Sequence, residues 1–160
     1  MHAYRIDGLA PETFAPLFAL DDAALRAHGM RRVVADSPTG YPCRVSLAEA
    51  APGERLLLLT FAHHDCDGPY RASGPIFVRE DAMRAPTLRN RLPSILGTRH
   101  LSLRAYDADG WMLQARALEG RDAEAAMQEL FDDPRTARIH AHNARYGCFL
   151  CAIDREPAQG

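Results

Sequence analysis

The stretch that decides the fold is Arg138-Ile139-His140-Ala141-His142-Asn143-Ala144-Arg145-Tyr146-Gly147-Cys148-Phe149-Leu150-Cys151-Ala152-Ile153-Asp154. It reads as two β-strands around a short loop. Side chains alternate between faces along a strand. Pairing His142 with Cys148 around residues 143–147 puts Ile139 and Ala141 on one face with Phe149, Cys151 and Ile153. His140 and His142 then share the other face with Cys148 and Leu150. The first set suits a core. The second is either a mixed face where two imidazoles meet a thiol, or a half-wet face with both His in solvent. A slip of one residue would exchange the faces. Gly147 can supply the positive φ that such loops need, and Asn143 tolerates the left-handed region.

Outward from this hairpin, strands dominate. Residues 99–106 and 111–118 alternate well around Asp107-Ala108-Asp109-Gly110, a hairpin turn signal. Leu101, Leu103 and Ala105 fall on one face, and His100, Ser102, Arg104 and Tyr106 on the other. Residues 55–62 form the most apolar strand and a central one. Residues 3–7, 31–35, 41–45 and 76–78 are further extended segments, and residues 84–96, with Pro86 and Pro93, read as irregular. Ser46-Leu47-Ala48-Glu49 matches a capping box opening one helical turn. Asp21 is an N-cap for residues 22–27. Residues 11–18 make a weak turn interrupted by Pro16. The best helix is 121–131, whose stripe includes Ala126, Met127, Leu130 and Phe131, ended by Asp132-Asp133-Pro134. Strands outnumber helices and do not alternate with them. The expected class is α+β: a mostly antiparallel, barrel-like sheet with one main helix near the C-terminal third, in a single domain over residues 1–160.

Composition narrows the function classes. Net charge is −2, so no basic field draws the chain to nucleic acid or anionic lipid. All 19 basic residues are Arg, which removes Schiff-base and P-loop lysines and leaves bidentate anion binding open. No apolar h-region follows Met1, and no apolar run approaches a membrane span. The expected location is cytoplasmic, with Cys43, Cys66, Cys148 and Cys151 reduced. Cys148-x-x-Cys151 lies inside a strand pattern, not at the helix start that a thioredoxin-type pair requires.

Three motifs carry a family resemblance. Tyr41-Pro42-Cys43-Arg44, then Pro69-Tyr70-Arg71-Ala72-Ser73-Gly74-Pro75-Ile76-Phe77-Val78-Arg79, then His142-Asn143 to Gly147-Cys148-Phe149-x-Cys151 resemble the bacterial domain of unknown function 1203 (DUF1203) family. The resemblance spans residues 4–155 and implies a compact bacterial protein. It implies no activity and no cofactor.

The candidate chemistry is a small-ligand pocket between the Tyr70–Pro75 segment and the C-terminal hairpin. If these ends converge, Arg71 and Arg145 grip a carboxylate or phosphate. Ser73 and Asn143 orient it, His142 exchanges a proton, and Cys148 completes the set. The plain alternatives are that Arg71 pairs with an Asp and that Asn143 serves only its loop. A second class is a zinc site from His140, His142 and Cys148, with Cys43 as a further ligand. A third is a non-catalytic interaction or regulatory domain. His63-His64-Asp65-Cys66-Asp67-Gly68-Pro69 is dense in ligand types but nearly contiguous, and reads as a solvated loop. No Gly-x-Ser-x-Gly or Ser, His and Asp set stands out, so enzyme or not stays open, and oligomeric state is not readable.

Overall fold

A computed structural model describes residues 1–157. Among the described residues, eleven strands form two sheets. In chain order they are β1 (Tyr4–Ile6), β2 (Arg31–Val34), β3 (Pro42–Cys43), β4 (Ala48–Glu49), β5 (Arg55–His64), β6 (Ala72–Arg79), β7 (Leu88–Arg89), β8 (His100–Tyr106), β9 (Met112–Glu119), β10 (Arg138–Asn143) and β11 (Phe149–Arg155). Sheet A has the order β7-β1-β11-β10-β8-β9, and sheet B the order β2-β5-β6-β3-β4. Every pairing is antiparallel except β3 with β6, which meet in parallel at Cys43 and Phe77. The class is therefore α+β and mainly antiparallel. The barrel-like expectation is corrected: the strands divide between two open sheets.

The helices are short. They are α1 (Ala15–Phe18), α2 (Asp22–Ala27), α3 (Ser94–Gly97) and α4 (Ala123–Phe131). The longest, α4, covers most of the helix expected from the sequence, and the other three dilute the picture of one main helix. The Asp21 side chain caps α2, accepting from the Ala24 N–H at 2.8 Å. Ser46 to Glu49 makes no helical turn; Ala48 and Glu49 instead pair with β3. The stretch 84–96 holds β7 and the start of α3. Pro75 lies within β6 opposite Thr60, and β3 reaches β6 only at Phe77, so its missing N–H leaves no third strand unpaired.

Alternation sorts each sheet into two faces. On sheet A, Leu101, Leu103, Ala105, Ile139, Ala141, Cys151 and Ile153 pack into one core with Met127, Leu130 and Phe131 of α4. A second core holds Leu57, Leu59, Ile76 and Val78 of sheet B against Phe14 and Leu25. The layer where the sheets meet borders the second core through Phe61. It is built from His140, Tyr106 and Phe149 of sheet A against Phe61, His63 and His64 of sheet B.

The C-terminal hairpin forms, with a corrected register. Ile139 faces Ile153 and Ala141 faces Cys151, two residues further along than a His142–Cys148 pairing requires. The pattern then shifts, and His142 faces Phe149. Leu150 is the extra residue of this β-bulge. The bulge exchanges two faces: Leu150 joins the apolar core, and Phe149 turns to the imidazoles. Gly147 at φ 79° closes the loop.

Candidate functional site

The inter-sheet layer brings four imidazoles together. His140 and His142 stand on the non-core face of β10, opposite Arg104 and Ser102 of β8. Both are completely buried, which overturns the solvent-facing alternative. His63 and His64 are the last two residues of β5, not a solvated loop. A register shift between Phe61 and His64 brings both rings to the layer. Ring centroids lie 5.0 Å apart for His63 and His142, 5.2 Å for His64 and His140, and 6.2 Å for His140 and His142. Phe149 stacks on His63 at 5.2 Å and 8°.

These rings are poorly satisfied. The His142 Nδ1–H donates to the Gly147 carbonyl at 2.9 Å, and the His64 Nε2–H donates to that of Gly110 at 2.9 Å. His63 Nδ1, His142 Nε2 and both nitrogens of His140 are buried with no partner among the described residues. Burial pushes His140 down to about 2, helped by His64 and His142. Burial also pushes His142 down to about 4, against the Gly147 hydrogen bond. His140 and His142 are therefore neutral at pH 7.

Among the described residues, no three His, Cys, Asp or Glu side chains are placed to hold a metal ion. The expected zinc set is corrected accordingly: His140 and His142 lie in the imidazole layer, while Cys148 lines a separate recess. Cys43, its further ligand, accepts from the backbone N–H groups of Ser46 and Arg79.

That recess is the second feature. It has a volume of about 300 Å³ and lies between the middle of β6 and the C-terminal hairpin. Pro42 and Arg44, Pro75 to Phe77, and Asn143, Tyr146 and Cys148 line it, so all three quoted motifs converge there. Arg44 is only 1% exposed. Its Nε donates to the Phe149 carbonyl at 2.8 Å and its Nη1 to that of Pro42 at 2.5 Å. Neither partner is charged. Among the described residues no carboxylate pairs with it, and Cys148 lines the same recess. Burial lowers the Arg44 guanidinium, and the Cys148 sulfur opposes that shift. A buried charge without a counter-ion is costly. The nearby Arg99 differs: it is paired with Glu49.

A family model described as a protein of unknown function (DUF1203) matches residues 40–155. The chain belongs to that family. No curated protein and no solved structure matches the chain. The DUF1203 match takes in β3 to β11, and with them every residue of the recess and of the imidazole layer.

The site residues expected from the sequence fall in three places. Asn143 and Cys148 line the recess. Asn143 also serves its loop, accepting from the N–H groups of Arg145 at 2.9 Å and Tyr146 at 3.3 Å. Arg145 is exposed at the same hairpin tip. Arg71 and Ser73 line a different, shallow recess, and Arg71 pairs there with Asp65 at 2.6 Å. His142 belongs to the imidazole layer. The sequence reading missed Arg44, although its signal was present. An Arg between Cys43 and Val45 in a strand-like run must point to the opposite face from two apolar residues.

Proposed function

We propose that the protein binds a small anion with an apolar body, such as an aromatic or branched carboxylate, in the recess beside Arg44. The carrying observation is the buried guanidinium without a carboxylate partner on the wall of a recess of about 300 Å³. Leu58, Ile76 and Phe77 offer the ligand's body an apolar wall. Asn143 and Cys148 are the polar neighbours of its head, and Arg145 stands at the hairpin tip beside them. Arg71, Ser73 and His142 act outside this recess: Arg71 and Ser73 at a second surface, His142 as part of the inter-sheet layer. A cytoplasmic location goes with this reading and is supported by four free cysteines. No helix of the described residues is long and apolar enough to cross a membrane.

The test is calorimetric titration with benzoate and with benzyl alcohol, its uncharged counterpart. Benzoate should bind more tightly by about ten- to a hundredfold, the worth of a hydrogen bond to a charged group. Arg44→Met, which keeps the volume, should erase that preference. Equal binding of the two probes by the wild-type protein would refute the proposal.

A further inference from the structure

We infer that the cleft bordering the imidazole layer at His63, His64 and Tyr106 is a second ligand site, for an aliphatic diamine or polyamine. The cleft has a volume of about 700 Å³ and shares no lining residue with the recess beside Arg44, so the inference stands apart from the anion reading. Its walls come from both sheets: the loop that follows β5 and the turn between β8 and β9. Gly110 pins the two walls together. It sits at φ 88°, and a Cβ there would lie 2.7 Å from that of Cys66.

The first observation is charge. Asp65, Asp67, Asp107, Asp109 and Asp154 line the cleft. Arg71 pairs with Asp65 at 2.6 Å, and Arg138 with Asp154 at 2.5 Å. Asp67, Asp107 and Asp109 have no Arg or His partner among the described residues, and the chain holds no Lys to supply one. Arg135 acts on Asp107 from a distance but is itself held by Asp133 at 2.7 Å. Asp107 spends Oδ1 on the N–H groups of Asp109 and Trp111, at 3.0 and 2.9 Å, which leaves Oδ2 for a ligand. The cleft therefore draws in positive charge.

The second observation is a buried acceptor at the same place. His64 is only 7% exposed and lines the cleft. Its Nε2–H donates to the Gly110 carbonyl at 2.9 Å. The neutral ring then carries a lone pair on Nδ1, and no donor among the described residues meets it. On the same wall, His63 Nδ1 is buried without a partner. A cationic N–H donor satisfies carboxylates and an imidazole lone pair alike.

The rings decide what kind of cation. Trp111, 52% exposed, and the buried Tyr106 line the cleft, and Tyr70 stands edge-on to Trp111 at 6.0 Å. Aromatic faces attract an ammonium group and cover methylenes. A metal ion has no such use for them, and no three acidic or imidazole side chains among the described residues are placed to hold one. Asp65 and Asp67 stand on one wall, Asp107 and Asp109 on the other. That arrangement suits a ligand with an ammonium at each end and an apolar chain between.

The experiment titrates the whole protein with hexane-1,6-diamine and with hexane-1,6-diol at constant ionic strength, reading the fluorescence of Trp111, the chain's one Trp. The diamine should give a saturable change with a Kd at least about tenfold below that of the diol. Replacing sodium by magnesium at the same ionic strength should move the diamine's Kd by less than about twofold. Asp67→Asn and Asp109→Asn should each weaken diamine binding by about two- to fivefold. Glu12→Gln, which removes an exposed carboxylate outside the cleft, should leave it unchanged. Equal affinities for diamine and diol, or a tenfold loss of diamine affinity in magnesium, overturn the inference, and both comparisons use the wild-type protein alone. Equal effects of Asp67→Asn and Glu12→Gln overturn it as well, since they would trace the binding to net charge.

Discussion

Acid should weaken this fold through two imidazoles well above the pH at which its carboxylates matter. His140 and His142 titrate near 6.5 when exposed, and burial holds them at about 2 and about 4 in the folded chain. As pH falls from 7 to 5, the unfolded chain gains these two protons and the folded chain does not. A His with a depressed folded pKa therefore contributes stability that is present above pH 6.5 and lost as pH falls below it. The drop from 6.5 to 5 is 1.5 units, worth about 2 kcal/mol per group and about 4 kcal/mol together. The groups that act on the pair are His63, His64, Arg44, Arg104 and Arg138, all basic, so none offsets the loss. His63, also lowered by burial, adds to it. Glu54, held low by the Ala51 N–H and then by Arg79, and Asp133, held low by Arg135, weaken the fold only at still lower pH, below the window from 7 to 5. The assay is urea unfolding at pH 7, 6 and 5, followed by far-UV circular dichroism. With an m-value of about 2 kcal/mol per molar, the midpoint should fall by about 2 M between pH 7 and 5. In His140→Leu the drop should be about half as large. A midpoint unchanged between pH 7 and 5 would refute the buried, neutral pair His140 and His142.

Other outcomes follow from single contacts. At pH 7, His140→Leu should equal or exceed the wild type by about 1 kcal/mol in urea unfolding, because it removes two buried nitrogens that have no partner. Gly120→Ala should cost about 3 kcal/mol or more in the same assay, since a Cβ there would lie 1.9 Å from the Leu96 carbonyl oxygen. Gly97→Ala, in α3 with nothing within 4 Å, should be neutral or stabilising by up to about 1 kcal/mol. Asp21→Ala should lower stability by about 1 kcal/mol through loss of the α2 cap.

The sequence showed most clearly what depends on local pattern. The alternation of Leu101, Leu103 and Ala105 against Ser102, Arg104 and Tyr106 holds, as do the cap at Asp21 and the turn at Gly110. What stayed hidden depends on long-range pairing. Nothing local marks Leu150 as a bulge residue, because the bulge exists only relative to β10. The division into two sheets rests on which strands β6 and β11 choose as neighbours, and strand periodicity carries no such information. His63 and His64 looked solvated because Asp65, Cys66 and Asp67 follow them, yet β5 runs two residues past its apolar stretch. In the candidate site, Asn143 and Cys148 were legible as a hairpin tip, whereas Arg71 was drawn away by Asp65, six residues earlier in the chain.

The order of strands also governs how the molecule can be assembled during synthesis. Sheet B is made from one contiguous run, β2 to β6, and can pair internally once residue 79 has left the ribosome. Sheet A takes its strands from both sides of that run: β1 precedes it, and β7 to β11 follow. β1 can meet β7 once residue 89 is made, but Tyr4 pairs with Arg155, so its other edge waits for β11. Closing that contact sets a high entropic threshold. Sheet A therefore closes last, and until then the imidazole face of β10 has no finished sheet around it. A nascent chain stalled short of β11 would carry a completed sheet B beside a β1 and a β10 that each lack the strand between them, open to chaperones and to pairing with neighbouring chains.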